Sequence, residues 1–383
     1  MWSGRGNTRT RTAPRPDGST TESKTTVKLI IDARFTRTTH HDGISRFTSC
    51  LIEETAKIAD VTMLINDPAQ LRLLPDVPHV LINSPLSPLE PFVARKVNKL
   101  GPDVVFSPMQ TMGSAGRKYG LILTLHDLIY YEHPKAPGFL PLPVRIGWYL
   151  FHQMYWPQRM LLNRTDAVAT VSQTTKDLIK KHRLSRKPVE IVSNAPAPGA
   201  VPRDASVAPE PTLLYMGSFM PYKNVETLIL AMEYLPDFSL HLLSNIAPQR
   251  EAELLAQVPT GSTVVFHHGV TDEEYQDLLK RTTALVSLSR AEGYGLPLVE
   301  AMSVGTPVVA TDMPIFREVG AGAISYVDPQ SPRAFADAVK DLAAPGAWHA
   351  ASAAALKRAE SYSWQSSARQ LLDLAESVME KRT

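Results

Sequence analysis

Short apolar runs alternate with amphipathic stretches along most of the chain, in two series separated by a proline-rich segment. The first series has strand-like runs at 27–32, 61–65, 80–82, 104–106, 121–125, 167–171 and 189–192. The second series has them at 212–216, 239–243, 263–266, 284–288, 307–310 and 323–327. Strands that alternate with helices are joined by crossovers, which predicts parallel sheets covered by helices on both faces.

Helical periodicity fills the intervals between several of these runs. It predicts helices at 44–59, 89–100, 174–182, 224–234, 249–257, 272–281, 297–304, 332–342, 348–360 and 364–380. A chain of 383 residues is long enough for two domains. We therefore predict an α/β protein with Rossmann-like lobes at 27–200 and 212–363, whose strand ends face each other across a cleft.

The segments outside the two lobes have their own composition. Five prolines cluster over 195–211, which predicts a stiff connection between the lobes with its linker at 201–211; they are Pro196, Pro198, Pro202, Pro209 and Pro211. Residues 1–26 are rich in Arg, Thr, Ser and Pro and have no apolar core segment, which predicts a disordered basic tail rather than a signal peptide. The single cysteine, Cys50, lies in an apolar helical pattern and is expected in the core of a protein from a reducing cytoplasm.

Charge and spacing exclude two classes of ligand. The formal net charge is +2, so no bulk field favours nucleic acid, and we predict no nucleic-acid partner. No Asp-x-Asp sequence occurs, and no carboxylate or cysteine lies at ligand-like spacing from His40 and His41. We therefore predict no metal site.

The stretch 289–310, with the sequence SRAEGYGLPLVEAMSVGTPVVA, joins a strand-like run to a helical pattern. Pro297 suits the first turn of that helix because its missing N–H has no intrahelical partner there. Gly293 and Gly295 allow the backbone to approach a ligand closely, since neither has a Cβ. The free N–H groups of the first turn, which begins at Leu296, form a site for an anion such as phosphate.

Two carboxylates flank this anion site, Glu292 just before the helix and Glu300 about one turn inside it. Carboxylates accept hydrogen bonds from hydroxyl groups. A phosphate with a hydroxyl-bearing ring at each end describes a nucleotide sugar, so the stretch predicts a binding site for such a compound. The alternative is an ordinary strand–loop–helix turn in which Glu300 only complements the helix dipole.

The spacing of Glu292 and Glu300, together with Pro297 and the following Gly305-Thr306-Pro307, resembles the E-x7-E motif of the retaining glycosyltransferases of family four. The resemblance implies the GT-B architecture. The first lobe would then be the acceptor side, completed by a C-terminal helix at 364–383, and the second lobe would be the donor side.

The same resemblance implies a retaining, metal-independent hexosyltransferase. It would move a hexose, with mannose as our first choice, from a GDP- or UDP-linked sugar to a glycan or lipid-linked acceptor in cell envelope polysaccharide biosynthesis. The nucleotide sugar is a substrate, and no cofactor is implied. In the family the acceptor attacks from the face that the phosphate leaves, and that phosphate takes the acceptor's proton. We expect the chain to act in the cytoplasm, at the inner face of the membrane.

The resemblance also assigns roles to individual residues. Lys223 ends the glycine loop of the second lobe and would neutralise the departing diphosphate. His126 follows a strand of the first lobe and, with Glu292, would orient the transferred sugar, while Glu300 would hold the ribose diol. The other donor-binding positions implied are Gly43, Gly217, Val270, Gly293, Gly295 and Leu296.

One departure from the family pattern keeps other functions open. Ser218 and Tyr222 stand where many relatives carry arginine, so one phosphate-facing cation is missing. A catalytically silent sugar-nucleotide-binding or scaffold protein is therefore an alternative. A GT-B nucleotide-sugar epimerase or a phosphorylase is another, although E-x7-E with Gly-Leu-Pro argues for transfer. An NAD oxidoreductase is disfavoured because no G-x-G-x-x-G follows the first strand of either lobe.

Aromatic and basic residues also alternate over 139–162 of the first lobe. The aromatic ones are Phe139, Trp148, Tyr149, Phe151, Tyr155 and Trp156, among Arg145 and Arg159. This composition predicts either a helix that docks on a membrane surface or one that packs inside the lobe, and Pro141, Pro143 and Pro157 interrupt its face.

Overall fold

The computed structural model describes residues 27–134 and 142–382, so the predicted tail at 1–26, Phe139 and Pro141 lie outside the described residues. The first lobe contains one parallel sheet whose inner strands are largely apolar and buried, as sheets covered on both faces require. Its strands are β1 (Lys28–Asp32), β2 (Asp60–Ile65), β3 (His79–Leu81), β4 (Val104–Ser107), β5 (Gly120–Thr124), β6 (Ala167–Thr170) and β7 (Val189–Ile191). Their order is β3-β2-β1-β4-β5-β6-β7.

The second lobe repeats this topology with a six-stranded sheet. Its strands are β8 (Glu210–Tyr215), β9 (Ser239–Leu242), β10 (Thr263–Phe266), β11 (Thr282–Ser287), β12 (Val308–Thr311) and β13 (Ser325–Val327), in the order β10-β9-β8-β11-β12-β13. In both sheets the order reverses beside the first strand, between β1 and β4 and between β8 and β11. Ligands bind at such switch points, beyond the carboxyl ends of the strands. The predicted fold class, two Rossmann-like lobes with parallel sheets, is confirmed.

Helices cover both sheets, and several begin at side-chain caps. In the first lobe they are α1 (Gly43–Ile58), α2 (Val93–Val97), α3 (Ile129–Glu132), α4 (Leu142–His152), α5 (Trp156–Leu162) and α6 (Gln173–Lys181). The others are α7 (Val225–Ala231), α8 (Pro248–Leu255), α9 (Asp272–Arg281), α10 (Leu296–Ser303), α11 (Pro314–Gly320), α12 (Pro332–Ala343), α13 (Ala347–Ala359) and α14 (Trp364–Glu380). Asp42 caps α1 by accepting from Ser45 N at 2.8 Å, and Thr271 begins α9 in a capping box with Glu274.

Several elements differ from the sequence-based predictions. The helix predicted at 89–100 is a 3-10 turn, the short α2 and a second 3-10 turn, and Gly101 ends the segment in a left-handed conformation. Asn224 is left-handed with φ of 55°, so α7 begins one residue later than predicted. Glu210 and Pro211, which the linker prediction included, belong to β8. Helix α11 was not predicted.

Helix α14 returns from the second lobe and packs on the first. The Trp364 indole lies edge-on to Phe47 of α1, with 6.0 Å between ring centroids, and its Nε1 donates to Pro196 O at 2.8 Å. At the other end, Val378 contacts β5 at Gly120, where a Cβ would lie only 2.5 Å from Val378 Cγ1. The end of the chain therefore closes the core of the first lobe.

Replacing Trp364 by alanine tests this contact. Trp364 is 5% exposed, so Trp364→Ala leaves a cavity between α14 and α1 and is expected to lower the free energy of unfolding by about 3–5 kcal/mol in urea titrations. Trp156, at 54% exposed, is the matched control, and Trp156→Ala is expected to change it by less than about 1 kcal/mol. Equal losses in the two variants would contradict the packing described.

Candidate active site

Loops at the carboxyl ends of strands from both lobes meet in the cleft. Gly43 begins α1 in the first lobe, and a Cβ there would lie 3.6 Å from Leu296 Cδ1 at the start of α10. Gly293, in the loop after β11, packs so closely on the first lobe that a Cβ there would lie 2.7 Å from Asp127 Oδ2. Three of the predicted donor-binding residues therefore line the contact between the lobes.

The start of α10 has the geometry that its sequence predicts. Gly295 precedes the helix with φ of 97°, a conformation that favours glycine, and a Cβ there would lie 2.9 Å from Phe316 Cε1. Leu296 and Pro297 form the first turn. Because this turn has no side-chain cap, the N–H of Leu296 remains available to an anion, whereas Pro297 has no N–H and that of Leu298 donates to Gly295 O at 3.0 Å.

Glu300 lies one turn further on and is 7% exposed. Burial raises the pKa of its carboxyl to about 7, although Arg46 of α1 and the Tyr275 hydroxyl of α9 both act to lower it. That hydroxyl lies beside the carboxyl without meeting the geometry of a full hydrogen bond. Arg46 Nη2 also contacts both oxygens of Asp272 at 3.0 Å, which links the two lobes. Glu300 is thus a buried acceptor with polar neighbours from both lobes.

Lys223 and Glu292 form an ion pair on the other side of the α10 start. Lys223 Nζ lies 2.5 Å from Glu292 Oε1, and both side chains are largely buried. The lysine ends a 3-10 turn after β8, and the glutamate follows β11, the neighbouring strand. The sheet order therefore brings together two residues that are 69 positions apart.

His126 and Asp127 face this pair from the first lobe. His126 Nε2 lies 2.7 Å from Pro108 O, and because a carbonyl only accepts, Nε2 carries the proton. Burial lowers the pKa of His126, so the ring is neutral and Nδ1 is free to accept a hydrogen bond from a hydroxyl. Burial raises the pKa of Asp127, and the nearby Glu292 adds to that effect while Lys223 opposes it.

A cavity of about 150 Å³ opens beside His126. Aromatic residues of α3 and α4 line it, and two of their polar atoms, Trp148 Nε1 and Tyr131 Oη, are buried without a hydrogen-bond partner. Unpaired buried donors are costly unless a ligand or water satisfies them. The cavity is therefore suited to a hydroxyl-bearing group that approaches His126 from the first lobe.

The other predicted positions lie at strand ends without direct contact to the ion pair. Gly217 follows β8, its N–H donates to Ser244 Oγ at 3.1 Å, and a Cβ there would meet Tyr215 Oη at 2.8 Å. Val270 is half-buried just before the residue that caps α9. Both lie on the donor side, but the structure does not bring them to Lys223 or Glu300.

Two contacts between the lobes and one contact within the second lobe have no counterpart in the sequence-based predictions. Tyr222 stacks on His133 of the first lobe with 5.2 Å between ring centroids. Glu318 of α11 accepts from the N–H groups of Gln173 and Thr174 at the start of α6, at 2.6 and 2.7 Å. Tyr275 lies beside Glu300. None of these residues belongs to a local motif that marks its partner.

Comparison with known proteins identifies the relatives of this fold and site. The sequence family described as Glycosyltransferase Family 4 matches residues 51–195, and that described as Glycosyl transferases group 1 matches residues 202–352. The O-antigen chain mannosyltransferase RfbU of Salmonella typhimurium is 27% identical over 226 residues, which are 57% of this chain and 60% of RfbU. This chain therefore spans less than two thirds of that relative.

Solved structures share the whole fold. Sucrose-phosphate synthase from Thermosynechococcus elongatus superposes with a TM-score of 0.71 at 19% identity, covering 92% of this chain and 99% of that one. Anabaena HepE, solved in complex with UDP-glucose, superposes with a TM-score of 0.69 at 17% identity, covering 92% and 100%. The expected GT-B architecture is confirmed by these neighbours.

The raised pKa of Glu300 predicts how stability depends on pH. Between a pH of about 4.5 and about 7 the folded protein keeps a proton on Glu300 that the unfolded chain releases, so the free energy of unfolding falls as pH rises through this window. Glu300→Gln has no carboxyl to titrate, so its free energy of unfolding does not fall in this window on account of residue 300. The variant is expected to exceed the wild type by roughly 3 kcal/mol in urea titrations near pH 8 and to match it near pH 4.

The exposed Glu273 of α9 is the matched control for this experiment. Glu273→Gln is expected to unfold like the wild type at both pH values. A difference between Glu300→Gln and the wild type that stays the same at both pH values would show that the carboxyl of Glu300 has an ordinary pKa.

Proposed function

Since this chain belongs to the group 1, family 4 glycosyltransferases, we propose that it is a retaining hexosyltransferase that uses a nucleotide sugar as donor. The observation that carries the proposal is the pair of glutamates at the start of α10. Glu300 is buried beside Arg46 and Tyr275, and Glu292 is paired with Lys223 at 2.5 Å. Between them lies a free N–H of a helix start. This arrangement supports binding of a diphosphate with a ribose at one end and a hexose at the other.

Each side of the donor has a matching group. The ribose diol donates hydrogen bonds to Glu300, which must then be ionised to accept both. The diphosphate lies at the N–H of Leu296, where the helix dipole favours negative charge. Lys223 either breaks its ion pair with Glu292 or keeps it while it also contacts the diphosphate. In both cases its ammonium stabilises the negative charge that develops on the departing diphosphate. We propose that this chain's own groups, rather than a metal ion, supply that stabilisation.

The hexose is oriented by Glu292 and by the free Nδ1 of His126. The bond between the anomeric carbon and the phosphate oxygen breaks as the acceptor oxygen bonds to the same face of that carbon. The acceptor's proton passes to the departing phosphate, so the step needs no protein nucleophile. The cavity beside His126 supports an approach of the acceptor from the first lobe.

The relatives support particular substrates. RfbU is an O-antigen chain mannosyltransferase, which favours mannose as the hexose and a glycan or lipid-linked acceptor of the cell envelope. HepE was solved with UDP-glucose, which supports a nucleotide sugar as donor, and we propose a GDP- or UDP-linked sugar for this chain. We propose that transfer takes place in the cytoplasm, where such donors are made.

A second candidate is a catalytically silent protein that binds sugar nucleotides. One observation favours it: Tyr222 stacks on His133 where many relatives have an arginine, and Lys223 is engaged by Glu292. A donor would then bind without being cleaved. Release of the nucleoside diphosphate from the donor, measured with and without acceptor, distinguishes this candidate from the transferase.

Thermal unfolding with a panel of sugar nucleotides tests the donor site. A ligand that binds only the folded protein raises its melting temperature, so GDP-mannose is expected to raise it by several degrees at saturation, and UDP-glucose less. Glu300→Ala removes the ribose acceptor and is expected to abolish most of that rise relative to its own ligand-free melting temperature. The exposed Glu360 provides the control, and Glu360→Ala is expected to respond like the wild type. If no sugar nucleotide stabilises the protein, the proposed donor site is wrong.

Gly293→Ala tests the contact between the lobes at the site. A Cβ would lie 2.7 Å from Asp127 Oδ2 and 2.9 Å from Asp127 Cβ, so the lobes must shift to accept it. Displacement of catalytic groups by about 1 Å lowers rates by about 100-fold, and a loss of that order is expected in transfer assays. A Cβ at Gly322 would have no other atom within 4 Å, so Gly322→Ala is the control and should retain full activity. Equal activity of the two variants would contradict a catalytic role for this contact.

A further inference from the structure

Helices α4 and α5 carry an unusual number of exposed apolar side chains. Within α4, Ile146 is 54% and Leu150 is 57% exposed, and the two lie one turn apart on the same face. The remaining large apolar residues exposed on these helices and their connection are Leu142, Val144, Tyr149, Met154, Trp156 and Met160. Contiguous apolar surface of this kind marks an interaction site in a protein that folds in water.

Helix α4 packs on the rest of the first lobe through one face only. Trp148 packs edge-on against Tyr130 at 4.8 Å between ring centroids, and the buried His152 lies against Tyr131 at 5.1 Å. These side chains line the cavity beside His126. The opposite face of the helix, which carries Ile146 and Leu150, has no such packing and is exposed. The helix therefore has one face for the cavity and another without a partner among the described residues.

The region around this apolar face is strongly basic. Residues 142–190 contain nine Lys and Arg against three Asp and Glu, a surplus of six, although the whole chain has a net charge of only +2. A cleft between α5 and α6 contains Trp156 and Met160 on one side and Lys180 and Arg183 on the other. Apolar and basic side chains thus share one continuous surface.

We propose that the surface formed by α4, α5 and the C-terminal end of α6 docks on a lipid bilayer that contains anionic lipids. Leu150, Tyr149 and Trp156 would enter the boundary between headgroups and acyl chains, where aromatic side chains are favoured. The basic side chains of α6 and of the loop that follows it would neutralise lipid phosphates. In the described part of the chain no helix is both long and apolar enough to cross a bilayer, so the surface lies on the membrane.

Charge complementarity selects a bilayer over other occupants. A second copy of this chain would place two surfaces with the same basic surplus against each other, and like charges repel. A nucleic acid would match the charge but would leave Ile146 and Leu150 in contact with phosphates. An anionic bilayer satisfies both the apolar and the basic groups, because acyl chains and phosphates lie within a few ångströms of each other.

Docking would give α4 a place in catalysis. Its inner face lines the cavity beside His126, so a bilayer at its outer face would bring that cavity to the membrane surface. A hexose acceptor on a lipid carrier would then reach His126 without leaving the membrane. This consequence rests on the proposed function, whereas the docking surface itself does not.

Flotation of the full chain with vesicles tests the docking surface. Vesicles of phosphatidylcholine mixed with an equal part of phosphatidylglycerol are expected to bind the protein at least about ten-fold more tightly than phosphatidylcholine alone. Binding is expected to weaken at about 1 M salt, where the screening length is about 3 Å. Ile146→Glu combined with Leu150→Glu, and separately Lys180→Glu combined with Arg186→Glu, are each expected to reduce binding at least about ten-fold.

Matched variants on the second lobe control for general changes in hydrophobicity and charge. Leu230→Glu with Leu255→Glu, and Lys340→Glu with Lys357→Glu, replace exposed residues of the same types and should bind vesicles like the wild type. All variants are exposed, so each should keep the melting temperature and the donor-induced shift of the wild type. This separates the docking surface from the donor site, because loss of vesicle binding with an intact donor response affects only the former.

Three results would overturn the proposal. The first is a wild-type protein that does not float with anionic vesicles, and the second is equal binding by the first-lobe and second-lobe variants. The third is a dimer, measured by sedimentation velocity, that dissociates in Ile146→Glu/Leu150→Glu while vesicle binding is absent. That result would assign the surface to a second copy of the chain.

Discussion

Arg46 is the residue on which the geometry of the cleft depends most. From α1 of the first lobe its guanidinium contacts both oxygens of Asp272 and acts on the buried Glu300. A buried carboxylate without a cation nearby is costly, so it stays protonated or recruits a positive charge. In the proposed function the ionised Glu300 holds the ribose diol, and Arg46 lowers the pKa of that carboxyl while the lobes keep it in place. Closure of the cleft and the chemistry of the donor site are thereby coupled.

The other interlobe contacts support the same closed arrangement. Gly293 allows the loop before α10 to reach Asp127, Tyr222 stacks on His133, and Glu318 accepts from the start of α6. Glu318 acts as a helix cap supplied from the opposite lobe, where the N–H groups and the dipole favour a carboxylate. These contacts are small and polar, as expected of surfaces that separate and rejoin when a ligand enters and leaves.

The division of tasks follows from the topology. A parallel sheet places the loops that follow its strands on one edge, and two such edges facing each other bring loops from both lobes to one cleft. The second lobe contributes the helix start, Glu292, Lys223 and Glu300, which together suit a nucleotide sugar. The first lobe contributes His126 and the cavity walled by α4. That helix is peripheral to the sheet, so it can present its other face to a partner outside the protein.

The sequence by itself determined the strands, because buried parallel strands are nearly continuous apolar runs. It also determined the start of α10, because glycine favours the left-handed backbone that Gly295 adopts and proline, as at Pro297, favours the first turn of a helix. It also marked Glu292 and Glu300 through their spacing. It misjudged the segment 89–100, which forms two 3-10 turns around the short α2 instead of one helix. Only the tertiary structure decided that Arg46 meets Asp272, 226 positions away, and that Tyr275 lies beside Glu300. Such pairs leave no local signature, since the first joins the two lobes and the second joins two separate helices of the second lobe.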